Sequence, residues 1–447
     1  MTQLAGPVRG TERIVTLDIV RGFALLGILI MNMPGFSTSL FAGADGAYLW
    51  PDPLNRYAEQ LRNMLFSGKF NSMFSLLFGI GFTLQLGRME ARDPAHATTT
   101  YVRRLLALAL FAALHVGVFW TGDVLHIYVV LGFGLLLLRR ASNRLVCALI
   151  VATLLFPIVS GLLRLWLMSP DIVAARLAEA KVWEASNNLA YGHGSFWAAA
   201  HEHAREVLFF YNNRWSLWGT SSFYVQMTTT MLIGFLIGRN GWVQRIPQLL
   251  PQVRRLQWWA LGIGLTCALV FGLVGMYTRA PGPSPLKILV GSTYVLARLG
   301  LMMFYVLSIV RLAQLPLWQR RFAPMAAAGR MPLTNYLMQT LICTTLFYGW
   351  GFGLWGQVGP AAELLLALAI FFGVQVPLSM LWLRHFETGP LESLWRLLTY
   401  GRRPAVRPAS VVGARSDEGR CTEQCDTLEK PSLLSQEQAA KALKATP

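Results

Sequence analysis

RRLLALALFAALHVGVFWTGDVLHIYVVLGFGLLLL, from Arg103 to Leu138, reads as two apolar helices folded back on a tight Thr121-Gly122-Asp123 turn. Basic pairs, Arg103-Arg104 and Arg139-Arg140, close its outer ends. His115, Asp123 and His126 lie inside or at the edge of this hairpin. Ionisable side chains at membrane depth are costly, so their retention there points to function. If the chain does chemistry, this is where it is expected.

Working outward, the same apolar pattern repeats along most of the 447 residues. The chain is 54% hydrophobic and 14% charged, with a mean hydropathy of +0.45, whereas a soluble domain carries about a quarter charged residues. Runs long enough to cross a hydrocarbon core make the expected fold all-α, a polytopic transmembrane bundle of about ten helices. No series of short alternating segments suggests a β-barrel. The expected crossings are 17–36, 67–87, 103–121, 123–139, 145–167, 217–238, 256–277, 289–311, 332–350 and 361–383.

The net charge of +17 is no sign of a nucleic-acid partner. Arginines cluster at the ends of apolar runs, as the positive-inside rule requires. With both termini cytoplasmic, Arg88, Arg92, Arg103, Arg104, Arg139, Arg140, Arg144, Arg239, Arg245, Arg254, Arg255, Arg311, Arg320, Arg321 and Arg330 share the inner side. The outer side receives a scatter such as Arg56, Arg62, Arg176 and Arg279. The expected location is the inner (plasma) membrane.

Residues 1–12 then form a cytoplasmic segment, 13–401 the membrane domain, and 402–447 a polar, disordered cytoplasmic tail. Asp18 and Arg21 interrupt the run from Ile14 to Met33, which favours a retained first helix over a cleaved leader. Two outer-face segments, 37–66 and 168–216, are long enough to matter, and the second carries Trp183, Tyr191, Trp197, Tyr211, Trp215 and Trp218. Such aromatics suit a sugar or headgroup, but interfacial anchoring accounts for them more simply.

Five ordered blocks carry a family resemblance: LDIVRGFALLGILIMNM (17–33), GKFNSMFSLLFGIGF (68–82), RRLLALALFAALHVGVFWTGDVLHIY (103–128), GRMPLTNYLMQT (329–340) and GPLESLWRLLTYG (389–401). They resemble the signature blocks of the YeiB-like bacterial membrane proteins, a family labelled as of unknown function, over residues 13 to 401. That family is in turn distantly similar to transmembrane acyltransferases such as the heparan-α-glucosaminide acetyltransferases. The second resemblance implies a membrane-embedded histidine and an acyl-CoA donor, acetyl-CoA first among them, approaching from the cytoplasm. The residue here that matches that histidine is His115. After the Gly-Asp turn, Tyr128-Val129 stands where the family more often has Tyr-Ala.

Acyl transfer from a thioester needs a base for the acceptor and a stabiliser for the oxyanion. His115 can be that base, about two turns from the outer end of its helix at 1.5 Å per residue. The plain alternative is a neutral histidine bonded to a neighbouring helix. Asp123 can orient a histidine, or simply cap the next helix. His126 fits a supporting or acceptor-binding role.

Arg298, near the middle of its helix, is either an anchor for an anionic group or half of a buried ion pair. Arg330 and Asn335 flank the start of the 332–350 helix, whose free amides could receive the phosphates of a CoA donor. Ordinary helix initiation explains them equally well. Asp18 and Arg21, three apart, can pair on one face, with Asp18 toward the same vestibule as Arg330.

No metal site is expected. His201-Glu202-His203 with Glu206 lacks the i, i+4 histidine spacing of a zinc-protease helix, and Cys421/Cys425 is a weak pair. The reading is thus an acyl-CoA-dependent transferase acting on a small envelope acceptor, with the lipid bilayer as its surroundings and a homo-oligomer allowed. A transporter of a polar or anionic solute, or a scaffold with a polar interior, would carry the same buried charges.

Overall fold

A computed structural model describes residues 14–401; the segment 1–12 and the tail 402–447, with Cys421 and Cys425, lie outside the described residues. The described residues form helices joined by loops, with no β-strand element among them. In order the helices are α1 (Val15–Ser37), α2 (Pro53–Leu65), α3 (Lys69–Arg92), α4 (Ala97–Leu114), α5 (Leu125–Leu138), α6 (Asn143–Leu167), α7 (Pro170–Gly192), α8 (Phe196–Asn212) and α9 (Arg214–Arg239). There follow α10 (Leu250–Gly275), α11 (Pro285–Leu312), α12 (Pro316–Arg321), α13 (Ala323–Gly329), α14 (Pro332–Phe347), α15 (Pro360–Ile370), α16 (Val376–His385) and α17 (Pro390–Tyr400).

The boundaries follow local chemistry. Asp52, Ser142, Ser169, Ser195, Asn213 and Ser284 each accept amide hydrogen bonds at a helix start. Pro53, Pro170, Pro285, Pro332, Pro360 and Pro390 open helices at the position where a missing N–H costs nothing.

Each expected crossing falls on helix, and seven stretches of the described residues are long and apolar enough to span a bilayer. The protein is therefore a multi-pass membrane protein. Two expected crossings form shorter helices, α5 with 14 residues and α14 with 16. In α14 the apolar run is broken by Asn335, Gln339, Thr340 and Thr344, all buried. These polar groups face protein rather than lipid, as the absence of water in the bilayer demands.

Close packing runs through small residues. A Cβ on Gly79 of α3 would lie 2.1 Å from the Met231 carbonyl oxygen, and one on Gly234 of α9 equally close to that of Leu76. Gly264 of α10 and Gly300 of α11 meet in the same way, leaving 2.6 Å between a Gly300 Cβ and the Gly264 Cα. Such backbone approach is how helices associate where lipid removes the hydrophobic drive.

The two ends of the bundle differ. At one, Arg239 donates to the carbonyls of Ala141 and Arg139, both at 2.6 Å, and clamps the α5–α6 connection. At the other, Glu363 of α15 accepts from Arg62 of α2 at 2.6 Å and from Ser37 of α1 at 2.5 Å. The first is called the basic end below.

Candidate active site

α4 does not run straight into the turn. It ends at Leu114 and passes into a single π-helical turn, His115–Phe119, before Trp120 becomes extended. Wide turns of this kind often mark functional positions. Gly122 follows against the face of Trp120, where a Cβ would come within 2.4 Å of the indole. Only glycine lets the chain return this tightly.

That return places Asp123 between two imidazoles. Its Oδ1 accepts from Nδ1 of His115 at 2.7 Å, and its Oδ2 from Nδ1 of His126 at 2.8 Å. Oδ2 also takes the backbone amide of His126 at 2.9 Å, so the capping reading and the orienting reading hold together. Both histidines then present Nε2 as the acceptor. His115 Nε2 lies 2.9 Å from Thr340 Oγ1 of α14, and His126 Nε2 lies 2.7 Å from Tyr211 Oη of α8. Tyr211 in turn meets Tyr224 of α9 at 3.0 Å. One unbroken hydrogen-bonded chain thus joins α14, α4, α5, α8 and α9.

His115 is 2% exposed and Asp123 is 3% exposed, so neither nitrogen of the first imidazole meets open space. A cavity of about 240 Å³ comes close from the basic end. Arg21, Arg104, Arg330 and Arg396 stand along it, with Phe74, Phe78, Leu105 and Leu108 among its apolar walls. Val124, Leu125, Tyr128 and Tyr336 line it as well. Tyr336 Oη accepts from the Val124 amide at 3.2 Å and donates to Asp123 Oδ1 at 3.5 Å. A single phenol therefore separates the cavity from the carboxylate.

On the other side of the turn lies a second polar layer. Glu206 of α8 accepts from Thr121 at 2.7 Å, from Tyr191 at 3.0 Å and from Asn187 at 2.6 Å. His203 Nδ1 meets Thr121 Oγ1 and Tyr191 Oη, both at 2.9 Å. Burial holds the His203 imidazole down to about 3 and pushes the Glu206 carboxyl up. The triplet His201-Glu202-His203 is thus split by the helix. His203 and Glu202 are both buried on the side of Glu206, Glu202 held by Arg205 at 2.7 Å, whereas His201 is exposed.

Of the residues singled out in the sequence, His115, Asp123 and His126 come together and Arg330 stands at the cavity. Arg298 and Asn335 do not join them. Arg298 is 1% exposed and donates to Ser72 Oγ at 2.5 Å and to the Gln226 carbonyl at 3.4 Å, a hydroxyl and a carbonyl rather than a carboxylate. Asn335 is fully buried and braces α13 and α16 through the Ala328 carbonyl and Ser379 Oγ, both at 3.0 Å.

The α14 amides expected to receive phosphate are already satisfied by protein. Glu392 of α17 accepts from Leu333 N at 2.7 Å and Thr334 N at 3.1 Å. A carboxylate at a helix N-terminus answers the same partial charge a phosphate would. Asp18 and Arg21 do pair, at 2.7 Å. The sequence marks Tyr211 only as an outer-face aromatic and gives no role to Thr340, which bonds His115, or to Trp395, which lines the cavity. Trp395 sits in the quoted block 389–401, but threonine and tyrosine in an apolar helix give no signal until their partner is known.

Comparison with known proteins places these residues in a family. The profile described as "Protein of unknown function (DUF418)" matches residues 237–402. Uncharacterized protein YxaH of Bacillus subtilis is 31% identical over 406 residues, covering 88% of this chain and 96% of its own. Uncharacterized protein YeiB of Escherichia coli is 29% identical over 425 residues, covering 89% and 100%. An uncharacterized 39.9 kDa protein of Bacillus acidopullulyticus is 26% identical, covering 89% and 96%. No solved structure matches the chain. With its sequence aligned over 88% of the chain to YxaH and 89% to YeiB, which are covered over 96% and 100% of their own lengths, the chain belongs to the YeiB-like family of bacterial membrane proteins.

Proposed function

We propose that the protein is an acyltransferase of the inner membrane, moving an acyl group, acetyl in the simplest case, from cytoplasmic acyl-CoA to a hydroxyl-bearing envelope acceptor. The observation that supports this most is the 2.7 Å bond between His115 Nδ1 and Asp123 Oδ1, one phenol away from a cavity with arginines along it.

A carboxylate on Nδ1 fixes the tautomer with Nε2 free to take a proton and stabilises the imidazolium that results. Thr340 Oγ1 now fills the place at Nε2 that an acceptor hydroxyl would take. In the proposed step Nε2 removes the acceptor's proton as its oxygen attacks the thioester carbonyl. The C–S bond breaks, the imidazolium returns the proton to the departing thiolate, and the products are an ester and CoA thiol. Tyr336 Oη is the nearest cavity-side donor to the developing oxyanion. The step requires the Tyr336 ring to swing aside, because in the resting arrangement it closes the cavity.

The cavity suits the donor in size and charge. A slender pantetheine arm would lie along this cavity of about 240 Å³, toward Tyr336. The phosphates would then stay at the arginines, which bind them through paired N–H donors. Purified protein should bind acetyl-CoA and release thiol, and Arg330→Gln with Arg396→Gln should weaken that binding at least tenfold. Failure to bind acetyl-CoA at millimolar concentration would end this reading. A transporter is the second reading, favoured by cavities at both ends with a sealed polar layer between them. It would move labelled solute in proteoliposomes without consuming thioester.

A further inference from the structure

The larger cavity, about 560 Å³, lies at the end opposite the basic end, and it too is cationic. Arg164, Arg176, Arg279 and Lys287 line it, and no aspartate or glutamate does. Its position follows from α6, which starts beside Arg239 at the basic end and reaches Arg164 in its last turn, about 30 Å along the axis. α11 starts here with Lys287 and ends at the other face with Arg311. Part of the charge on the side the rule keeps sparse therefore gathers: Arg164 of α6, Arg176 of α7, Arg279 of the α10–α11 connection and Lys287 of α11 converge on one space, while Arg56 and Arg62 lie elsewhere.

Two of the four are already held. Lys287 donates to the carbonyls of Ala280 and Gly282, the latter at 2.6 Å. Arg279 stacks on Tyr48 at 3.5 Å, donates to the Gly46 carbonyl at 3.1 Å, and meets Glu59 at 3.5 Å. The other two are not. Arg164 has only the face of Trp218, at 5.9 Å. Among the described residues Arg176 has no hydrogen bond or ion pair. Four like charges around one space repel one another, and an anion placed among them removes that cost. Phe41, Leu177 and Ile288 add apolar wall, while Ser160 and Ser222 add hydroxyls.

We infer that this cavity binds a phosphate ester carried on a larger, partly apolar molecule, with the Arg164 and Arg176 guanidiniums gripping the phosphate. Guanidinium matches phosphate through paired donors, and its weak hydration suits a half-buried site. A lipid headgroup and a phosphorylated envelope sugar share this chemistry. The inference stands apart from acyl transfer, because it concerns another cavity and is tested without acyl donor.

The test uses the full chain in detergent and three proteins: wild type, Arg164→Gln/Arg176→Gln and Arg164→Lys/Arg176→Lys. Native mass spectrometry measures retention of phosphatidylglycerol against phosphatidylcholine, and titration measures binding of glycerol 3-phosphate. Wild type should retain phosphatidylglycerol or bind glycerol 3-phosphate at least tenfold more tightly than the glutamine variant, with the lysine variant between them. Added salt should weaken the binding. Response of the lipid arm alone assigns a headgroup, and response of the soluble arm assigns the phosphate ester itself. The inference is overturned if wild type and the glutamine variant, both folded by circular dichroism, bind alike in both arms, or if phosphatidylcholine is retained equally. Arg176→Gln alone, at an exposed position, should give a partial loss, and it serves as the readout should the double variant misfold.

Discussion

At the scale of single residues, the account rests on an imidazole whose two nitrogens have different partners. Asp123→Asn should lower thiol release by about 10²–10⁴-fold, because an amide there no longer fixes the Nδ1–H tautomer of His115. It should also cost stability, about 3 kcal/mol, since two histidines lose the charge they share. Thr340→Val is expected to be milder. It strands one buried acceptor at a cost of about 1–3 kcal/mol in chemical denaturation, and it leaves donor binding intact. His115, Asp123 and His126 were legible because ionisable groups stand out in an apolar run. Thr340 and Tyr211 were not, since their meaning comes from contacts made across 225 and 85 positions. Arg298 stood out for the same reason as His115 yet lies elsewhere, which shows that burial cost alone does not locate a site.

Among elements, the helix ends were readable from proline and capping residues, whereas the π-helical turn at His115 was not. It is a product of tertiary packing, with α8 and α14 both against it. The glycine contacts give a direct test: Gly300→Val should push α11 off Gly264 of α10 and cost about 1–3 kcal/mol, seen as a lower unfolding temperature. The docking of α8 adds a pH dependence. The His203 value is depressed from the ordinary 6.5 to about 3, so the folded state binds fewer protons than the unfolded one. Its contribution is full above about pH 6.5 and is lost progressively as pH falls below that. Wild type should therefore lose more thermal stability between pH 7 and pH 5 than His203→Gln does; equal losses would show that His203 is not held neutral.

For the whole molecule, the fold class followed from hydropathy because every spanning helix must satisfy its own backbone. The lengths of α5 and α14 did not follow, because polar residues that face other helices look, in sequence, like interruptions. Arginine placement predicts that the Arg139–Arg140 connection faces the cytoplasm and the α7–α8 pair the outside; membrane-impermeant labelling of single cysteines at Ser142 and Ser195 should mark only the second in intact cells. The central claim is that His115 transfers a proton during acyl transfer from a thioester at the inner end of the arginine-lined cavity. The most direct measurement is thiol release from acetyl-CoA by purified wild type and His115→Ala, with acetyl-CoA affinity measured in parallel. The account predicts release by wild type alone, with comparable affinity in both; equal release by the two proteins, or none by wild type despite bound acetyl-CoA, would contradict it.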